Sequence, residues 1–506
     1  MTMLQNLISK YSLHNQGVEE HNSADEFDYE DLKKFSRIII DQDPDHYKLQ
    51  NRSIWPAVRY ILWCYVKSKK KFQNTIPFNF EVSRKYQEFY VSKCGGSPAH
   101  QLRQQSTDIL VVQTVRPTRL IERPTKNSKS ALKKGALVNG LELYHPILDP
   151  VIEHFAEKHS INKTILLGRN NLKPARNLFW GPDYIVPDLF LKVIDADFMA
   201  YIAPELAKAE RVFKGEIDHD LFAKHLNQYV SSVNLWVAVL EAYRPKIVIF
   251  DTLGQHMALA DAARRKDIPT VDVQHGVIRG ATAVYNLWRH VPKDGWHGLP
   301  SHFICWTQED AIHINEMFNE SVKPIIAGLD MPSSLDSEEG CDEFHAWIKE
   351  HQLCVITLQE QTSFPKLFSE IIRKNSDILW LVFTHPKWGR KKLSNFPKSE
   401  NVRLASSFKQ PMPLGAVWKH TSAHLTRDSA SIYDASHAGV PSYAVGVLGE
   451  LAFSEEIARG EVGLLNKASD FVLETLPQPN QKHKKHGKNN KRLLSGAFRS
   501  ISDIMA

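Results

Sequence analysis

The residues best suited to hold a phosphate follow two apolar strands in the second half of the chain. The first strand, ILWLVFT, runs into His385 and Pro386, and Arg390 follows a few residues later. Proline ends a strand and fixes the backbone, so the His385 imidazole should project from the carboxyl edge of a sheet. Imidazole donates hydrogen bonds to phosphate or ribose oxygens and, when protonated, neutralises their charge. We predict that these residues bind a nucleotide; the alternative is a loop histidine without a ligand.

A second group of polar residues follows the strand SAHLT. Thr426 ends this strand, and Ser429 or Ser431 is expected to cap the next helix. Hydroxyl groups and the exposed N–H groups of a helix start can hold a phosphate without a glycine-rich loop. Ordinary N-capping explains one serine by itself. Together, the three hydroxyl residues predict a phosphate-binding site in the same domain as His385.

The first half of the chain contributes candidates for catalysis. Asp251 ends the strand KIVIFD, and His275 follows the strand TVDVQ. A carboxylate at such a position could act as a general base on an acceptor hydroxyl or as a nucleophile in a retaining reaction. His275 could orient this carboxylate or stabilise the departing phosphate. The competing interpretation is that Asp251 caps the helix that begins at Leu253 and that His275 fills a turn.

Three further residues are candidates for binding the acceptor. Gln274 precedes His275 at the strand end, and Arg116 and Arg119 follow the first strand of the same half. The two arginines would suit an anionic acceptor, or they are solvated loop residues.

Alternating strands and helices must position all of these residues. Apolar, β-branched runs separated by helical segments begin near Asp108, and the series restarts after Gly328. Runs of this kind predict parallel sheets covered by helices on both faces. We therefore predict an α/β fold with two doubly wound, Rossmann-like domains at residues 101–328 and 329–470. Such sheets bind ligands outside the carboxyl ends of their strands.

The two ends of the chain do not follow this pattern. Residues 1–100 are predicted to form a helical extension, in which 54–72 combines aromatic residues with a lysine cluster. That segment is either a core helix with a charged end or a helix lying in a membrane interface. Residues 471–506 are predicted to form a basic linker and a C-terminal helix. The linker is either solvated chain or a contact to anionic lipid or acidic glycan.

Composition excludes several classes of protein. The five cysteines are odd in number, scattered and without a C-x-x-C pair, which favours a reducing compartment over a disulfide framework or a zinc ribbon. The N-terminus lacks the pattern of a signal peptide, and we expect no membrane span. A net charge of +6 does not by itself indicate nucleic acid. No metal-ligand spacing and no glycine-rich nucleotide motif is found, so neither a metal nor a cofactor is expected.

The motifs at His385, Pro386, Ser429 and Ser431 resemble those of bacterial GT-B glycosyltransferases that build capsules and surface polysaccharides. The second half is similar to the group with an HP motif and a Ser/Thr motif, which includes the polysialyltransferases and the β-Kdo transferases. The resemblance covers roughly residues 101–470 and implies that these four residues hold the donor nucleotide, usually CMP. The segment SASIYD also resembles one in teichoic-acid polyol-phosphate transferases. Arg427 and Asp428 replace the order usual there, which leaves the phosphate-binding serine open by a residue or two.

The sequence therefore predicts a metal-independent glycosyltransferase of the GT-B type. It would move a sugar from a nucleotide-sugar donor, with a CMP-sugar favoured, to a growing bacterial surface glycan or a lipid-linked glycan. The predicted location is cytoplasmic, peripherally at the inner face of the membrane. The alternatives are a polyol-phosphate transferase or a nucleotide-sugar epimerase of the same fold, and a non-catalytic basic binding protein. No nucleic-acid-binding module is recognisable, so nucleic acid is not expected as a partner.

Overall fold

The computed structural model describes most of the two predicted α/β regions. The described residues are 29–49, 51–68, 107–115, 121–124, 137–138, 141–144, 148, 154–155, 159–167, 194–213, 215–280, 282–328, 341–349, 351–359, 363–385, 393–409, 413–472 and 486–505. They divide into two compact units. The N-terminal unit comprises the described residues within Lys34–His275, Leu287–Gly328 and Leu493–Ala506. The C-terminal unit comprises those within Met1–Lys33, Gly276–Asn286 and Leu329–Arg492.

A helical segment precedes the first sheet. It contains helix α1 (Tyr29–Asp41), the antiparallel strands β1 (Lys48–Leu49) and β2 (Arg52–Ser53), and helix α2 (Trp55–Ser68). Helix α2 buries Trp55, Val58 and Ile61 almost completely, and Tyr60 lies against Gly254 of the same unit. This helix is therefore part of the core of the N-terminal unit.

The N-terminal unit is built on a six-stranded parallel sheet. In chain order its elements are β3 (Ile109–Val115), β4 (Ile121–Pro124), β5 (Leu137–Val138), β6 (Leu141–Tyr144), β7 (Ile161–Leu167), α3 (Ala196–Phe213), α4 (His219–Tyr243), β8 (Ile247–Asp251), α5 (Leu253–Arg264), β9 (Thr270–Val273), β10 (His302–Cys305), α6 (Gln308–Met317) and β11 (Lys323–Ile326). The main sheet has the order β11-β10-β9-β8-β3-β7, and β4, β6 and β5 form a small antiparallel sheet. Because β7 pairs with one side of β3 and β8 with the other, the strand order reverses between β3 and β8.

The C-terminal unit contains a second six-stranded parallel sheet. The remaining elements are α7 (Asp342–Ile348), β12 (Leu353–Thr357), α8 (Lys366–Lys374), β13 (Leu379–Phe383), β14 (Val402–Leu404), α9 (Leu414–Val417), β15 (Thr421–Thr426), α10 (Ser431–His437), β16 (Ser442–Val445), α11 (Gly446–Ala452), α12 (Ser454–Ala458), β17 (Gly463–Leu465) and α13 (His486–Met505). The sheet order is β14-β13-β12-β15-β16-β17. Its strand order reverses between β12 and β15.

The sequence explains why these strands are central. Every residue of β8 and of β12 is buried, so their continuous apolar runs suit strands with both faces covered. Helix α13 returns to the N-terminal unit, where Phe498 and Ile501 pack into the core around β3, β8 and β9. The predicted α/β fold with two doubly wound parallel sheets is confirmed.

Candidate functional site

The reversal of strand order in the C-terminal unit brings the described members of the predicted nucleotide site to one sheet edge. Strands β13 and β15 both pair with β12, so their carboxyl ends flank the end of β12. His385 follows β13, Gln359 follows β12, and Ser429 follows β15. The Gln359 amide donates to the Asp428 carbonyl oxygen at 3.3 Å. Open α/β sheets bind ligands where the strand order reverses, so this edge is the candidate site of the unit.

A buried chain of hydrogen bonds ends at Ser429. His424 Nε2 lies 2.8 Å from the Thr357 hydroxyl, which lies 2.7 Å from the Ser431 hydroxyl. The Ser431 hydroxyl donates to that of Ser429 at 2.9 Å. His424 is 0% exposed, and burial lowers its pKa to about 3, so it is neutral at ordinary pH. Ser429 is only half-buried and is the member of this chain that can reach a ligand.

The tautomer of His424 decides how Ser429 presents its hydroxyl. If Nε2 carries the hydrogen, it donates to Thr357, Thr357 donates to Ser431, and Ser431 donates to Ser429. Nδ1 then accepts from the Ser442 hydroxyl at 3.2 Å. In this arrangement the Ser429 oxygen is already an acceptor, so its own hydrogen remains for a ligand. The other tautomer allows the chain to run in reverse, with a lone pair of Ser429 facing outward.

The start of helix α10 differs from the predicted capping arrangement. Ala430 occupies the N-cap position and makes no side-chain capping bond, whereas the Ser429 hydroxyl accepts from the N–H of Ser431, the first residue of the helix, at 3.4 Å. The Ser431 hydroxyl bonds to Thr357 instead, and the Ser429 N–H donates to the Thr426 hydroxyl at 3.1 Å. Thr426 is fully buried and donates to the Thr357 carbonyl oxygen at 2.9 Å. Thr426 and Ser431 are therefore buried in the turn, and Ser429 carries the least buried of the three hydroxyls.

Arg427 is a charged residue in this turn. From the sequence it was noted only as a difference from the teichoic-acid transferase segment. It is 7% exposed. Within the described parts of the chain, its guanidinium makes no hydrogen bond and no ion pair. An arginine is rarely so buried unless it is paired, because removing its charge from water is costly.

The other three predicted nucleotide ligands are His385, Pro386 and Arg390. His385 is half-buried and lies two residues after the end of β13, whereas Pro386 and Arg390 lie outside the described residues. The roles of all three in nucleotide binding stay predictions.

The N-terminal unit brings Asp251 and His275 together through a residue between them. The Thr252 hydroxyl donates to Asp251 Oδ2 at 3.4 Å and lies 3.4 Å from His275 Nε2. Both distances are long for hydrogen bonds between side chains. Asp251 is buried at the end of β8, beside the point where the strand order of this sheet reverses. The three side chains thus form a polar cluster where such a sheet binds ligands.

Thr252 holds an unusual backbone conformation. Its φ of 71° and ψ of 74° are left-handed, and it is the N-cap residue of α5 without a side-chain capping bond. A β-branched residue is a genuine outlier in this region, because its side chain crowds the backbone. Strain of this kind collects at functional positions, which makes Thr252 a candidate that the sequence did not reveal.

The predicted acceptor-binding residues have different outcomes. Gln274 is fully buried; its amide donates to Asp310 Oδ2 at 3.0 Å and accepts from the Trp306 N–H at 2.8 Å. Its side chain thus holds neighbouring segments of the N-terminal unit. Arg116 and Arg119 lie outside the described residues.

The segment 276–286, which follows His275, packs within the C-terminal unit. Its Arg279 forms a buried ion pair with Glu456, and Tyr433 accepts from the Arg279 Nη2 at 2.7 Å. Gly280 has a φ of 71°, and a Cβ there would lie 2.8 Å from the Ala452 Cα, so only glycine fits. The segment is therefore fixed by a buried charge pair and a close backbone contact.

Neither a metal centre nor a membrane-spanning helix is found among the described residues. No group of three or more His, Cys, Asp or Glu side chains could hold a metal ion there. Over the same residues, no helix is long and apolar enough to cross a membrane.

Several solved structures resemble this chain at low sequence identity. UDP-N-acetylglucosamine 2-epimerase from Rickettsia bellii is 15% identical with a TM-score of 0.44, over 78% of this chain and 95% of that one. The glycosyltransferase SnogD from Streptomyces nogalater is 14% identical with a TM-score of 0.37, over 79% and 100%. The α,α-trehalose 6-phosphate synthase from Burkholderia multivorans is 9% identical with a TM-score of 0.45, over 79% and 98%. No protein-family model matches the sequence, and no curated protein matches it. At these identities and TM-scores, the similarities assign no substrate to this chain.

Proposed function

We propose that the protein is a glycosyltransferase whose C-terminal unit binds the nucleotide of a nucleotide-sugar donor. The observation that carries the proposal is the end of β15, where Ser429 terminates a buried hydroxyl chain beside the reversal of strand order. His385 follows the neighbouring strand β13 on the other side of β12. Hydroxyl and imidazole donors at such an edge suit the phosphate and ribose oxygens of a nucleotide. Pro386 and Arg390 would complete this site.

The N-terminal unit would bind the acceptor and supply the base. Asp251 would accept the proton of the attacking hydroxyl, with His275 stabilising charge or orienting the carboxylate through Thr252. Arg116 and Arg119 would bind an anionic acceptor, and Gln274 would support the loop that carries His275. Rate enhancement would come from positioning, from stabilising the departing phosphate, and from base assistance.

The finer details of the proposal come from the motif resemblance. A CMP-sugar is the favoured donor, and the acceptor would be a growing bacterial surface polysaccharide or its lipid-linked precursor. The enzyme would work in the cytoplasm, peripherally at the inner membrane face, where the basic segment near the C-terminus would contact anionic lipid.

A nucleotide panel tests the proposal. The thermal midpoint of the full chain is measured with CMP, CDP, UDP and GDP, because a ligand that binds only the folded state raises the midpoint. We expect one nucleotide to raise it well above the other three. No shift with any mononucleotide, together with a shift with an oligonucleotide, would favour the basic binding protein instead.

Product analysis separates the remaining alternatives. The sugar donors of the stabilising nucleotide are incubated with and without glycan acceptor. Release of nucleotide with extension of the glycan supports glycosyl transfer. An isomerised sugar that is still attached to its nucleotide, formed without acceptor, would favour the epimerase.

A further inference from the structure

We propose that Arg427 is the anion-binding centre of the C-terminal unit and takes an oxyanion of the donor, either a phosphate or a sugar carboxylate. The inference deepens the proposed function, because it names the group whose charge the site must recognise. It starts from Arg427 itself: the residue is only 7% exposed, and its guanidinium makes no hydrogen bond or ion pair among the described residues.

The other buried arginine of the same unit shows what a structural arginine looks like here. Arg279 donates to Glu456 Oε2 at 3.0 Å and to Tyr433 at 2.7 Å, and both nitrogens that reach Glu456 are satisfied. Arg427 has no such carboxylate within the described residues. A buried cation with no internal counter-charge lowers stability unless a ligand supplies that charge.

The position of Arg427 connects it with the hydroxyl chain. It follows Thr426, the last residue of β15, and precedes Ser429 by two residues. The proposal places the anion in this turn, where it would accept from the guanidinium and from the Ser429 hydroxyl. Ser429 can donate outward without breaking a bond of the chain only when each hydroxyl donates toward it. The anion should therefore favour the His424 tautomer with hydrogen on Nε2.

The test compares Arg427→Met with wild type and with two matched arginine variants of the same unit. Without ligand, Arg427→Met should raise the thermal midpoint by at least about 2 °C, since it removes a buried, uncompensated charge. Arg279→Met should lower the midpoint, because it leaves Glu456 without its cation. Arg459→Met should change it little, because that arginine is exposed.

Anion binding is measured at constant ionic strength with inorganic pyrophosphate, inorganic phosphate and glucuronate, and with glucose as the uncharged control. If pyrophosphate raises the thermal midpoint, the natural anion is a phosphate. If glucuronate alone raises it, the natural anion is a carboxylate. Either affinity should fall by about 10- to 150-fold in Arg427→Met, the range for hydrogen bonds to a charged group. In ¹⁵N spectra of the wild type, the bound anion should fix His424 in its Nε2–H form, which a purely structural arginine would not change.

Several outcomes would overturn the proposal. These are a lower midpoint or failure to fold in Arg427→Met, unchanged anion affinity in that variant, or no response of wild type to any of the three anions. Failure of the proposed function looks different: pyrophosphate would bind through Arg427 while no nucleotide binds. Equal nucleotide affinity in wild type and Arg427→Met would leave the function standing and remove Arg427 from the site.

Discussion

Replacing Arg279 by methionine should strongly destabilise the C-terminal unit. Arg279 and Glu456 are each 5% exposed, and their side chains form a two-pronged ion pair. Tyr433 completes the cluster, because its hydroxyl accepts from Arg279 at 2.7 Å and donates to Glu456 at 3.1 Å. Removing the arginine leaves a buried carboxylate with one neutral donor. The expected loss in the free energy of unfolding is about 3–5 kcal/mol, the cost of breaking a buried ion pair by removing one partner.

A double variant supplies the control for this magnitude. Replacing both Arg279 and Glu456 by methionine removes the stranded charge and fills similar volume, so it should recover most of the loss. Tyr433→Phe should cost less than Arg279→Met, since it removes one hydroxyl and leaves the ion pair in place.

Urea unfolding and amide hydrogen exchange measure these effects. Exchange at residues 276–286 should accelerate in Arg279→Met, because the ion pair fixes this segment within the unit. A loss below about 1 kcal/mol, the value for an exposed pair, would refute the reasoning. So would a double variant that is no more stable than Arg279→Met.

Three further predictions concern single residues. Asp251→Asn should lower turnover of the donor by about 10²–10⁴, the usual effect of a positioned base, with nucleotide affinity unchanged; full turnover would contradict it. Thr252→Gly should raise the free energy of unfolding by about 1 kcal/mol, because it removes a β-branched side chain from a left-handed backbone position. The same variant should lower turnover, because it removes the hydroxyl between Asp251 and His275, whereas Thr252→Ser should keep turnover. Arg244 also has a left-handed backbone, and Arg244→Gly is the control that should leave turnover unchanged. Burial raises the pKa of Asp434 from 3.8 to about 7. The folded state therefore binds more protons than the unfolded chain between these values, and stability falls as pH rises through this window. Asp434→Asn should accordingly have a higher midpoint than wild type at pH 8 and a smaller advantage at pH 4, and an equal difference at both would contradict the shift.

The elements and their chemistry-bearing ends could be predicted because they are local. The apolar run ILWLVFT contains β13, KIVIFD contains β8, and the polar residues that follow them lie at strand ends, as the periodicity indicates. Ser429 could be predicted as a ligand residue for the same reason, because it follows the apolar strand SAHLT. What local patterns predict is thus which strands exist and which residues follow them.

The partners inside the site could not be predicted, because they depend on tertiary packing. Arg279 meets Glu456 across 177 residues of sequence, and nothing near either residue indicates the other. His424 reads as one polar residue in an alternating strand, and its place in the hydroxyl chain requires Thr357 on the neighbouring strand.

The backbone at the turns was equally hidden. Thr252 has a left-handed backbone conformation, which a β-branched residue rarely adopts. The Ser431 hydroxyl was expected to cap helix α10, but it bonds to the hydroxyl of Thr357 on β12. An arginine directly after a strand, as at Arg427, was the one signal that the sequence offered for the proposed anion site.

The central claim, that Ser429 at the end of β15 binds the donor nucleotide, is tested most directly by titration calorimetry. The nucleotide with the largest midpoint shift is titrated into wild type, Ser429→Ala and the control Ser407→Ala, whose serine is exposed in the same unit. We expect Ser429→Ala to weaken binding by about 10- to 150-fold, the worth of a hydrogen bond to a charged group, and Ser407→Ala to bind as wild type does. Equal affinity in all three proteins would contradict the account.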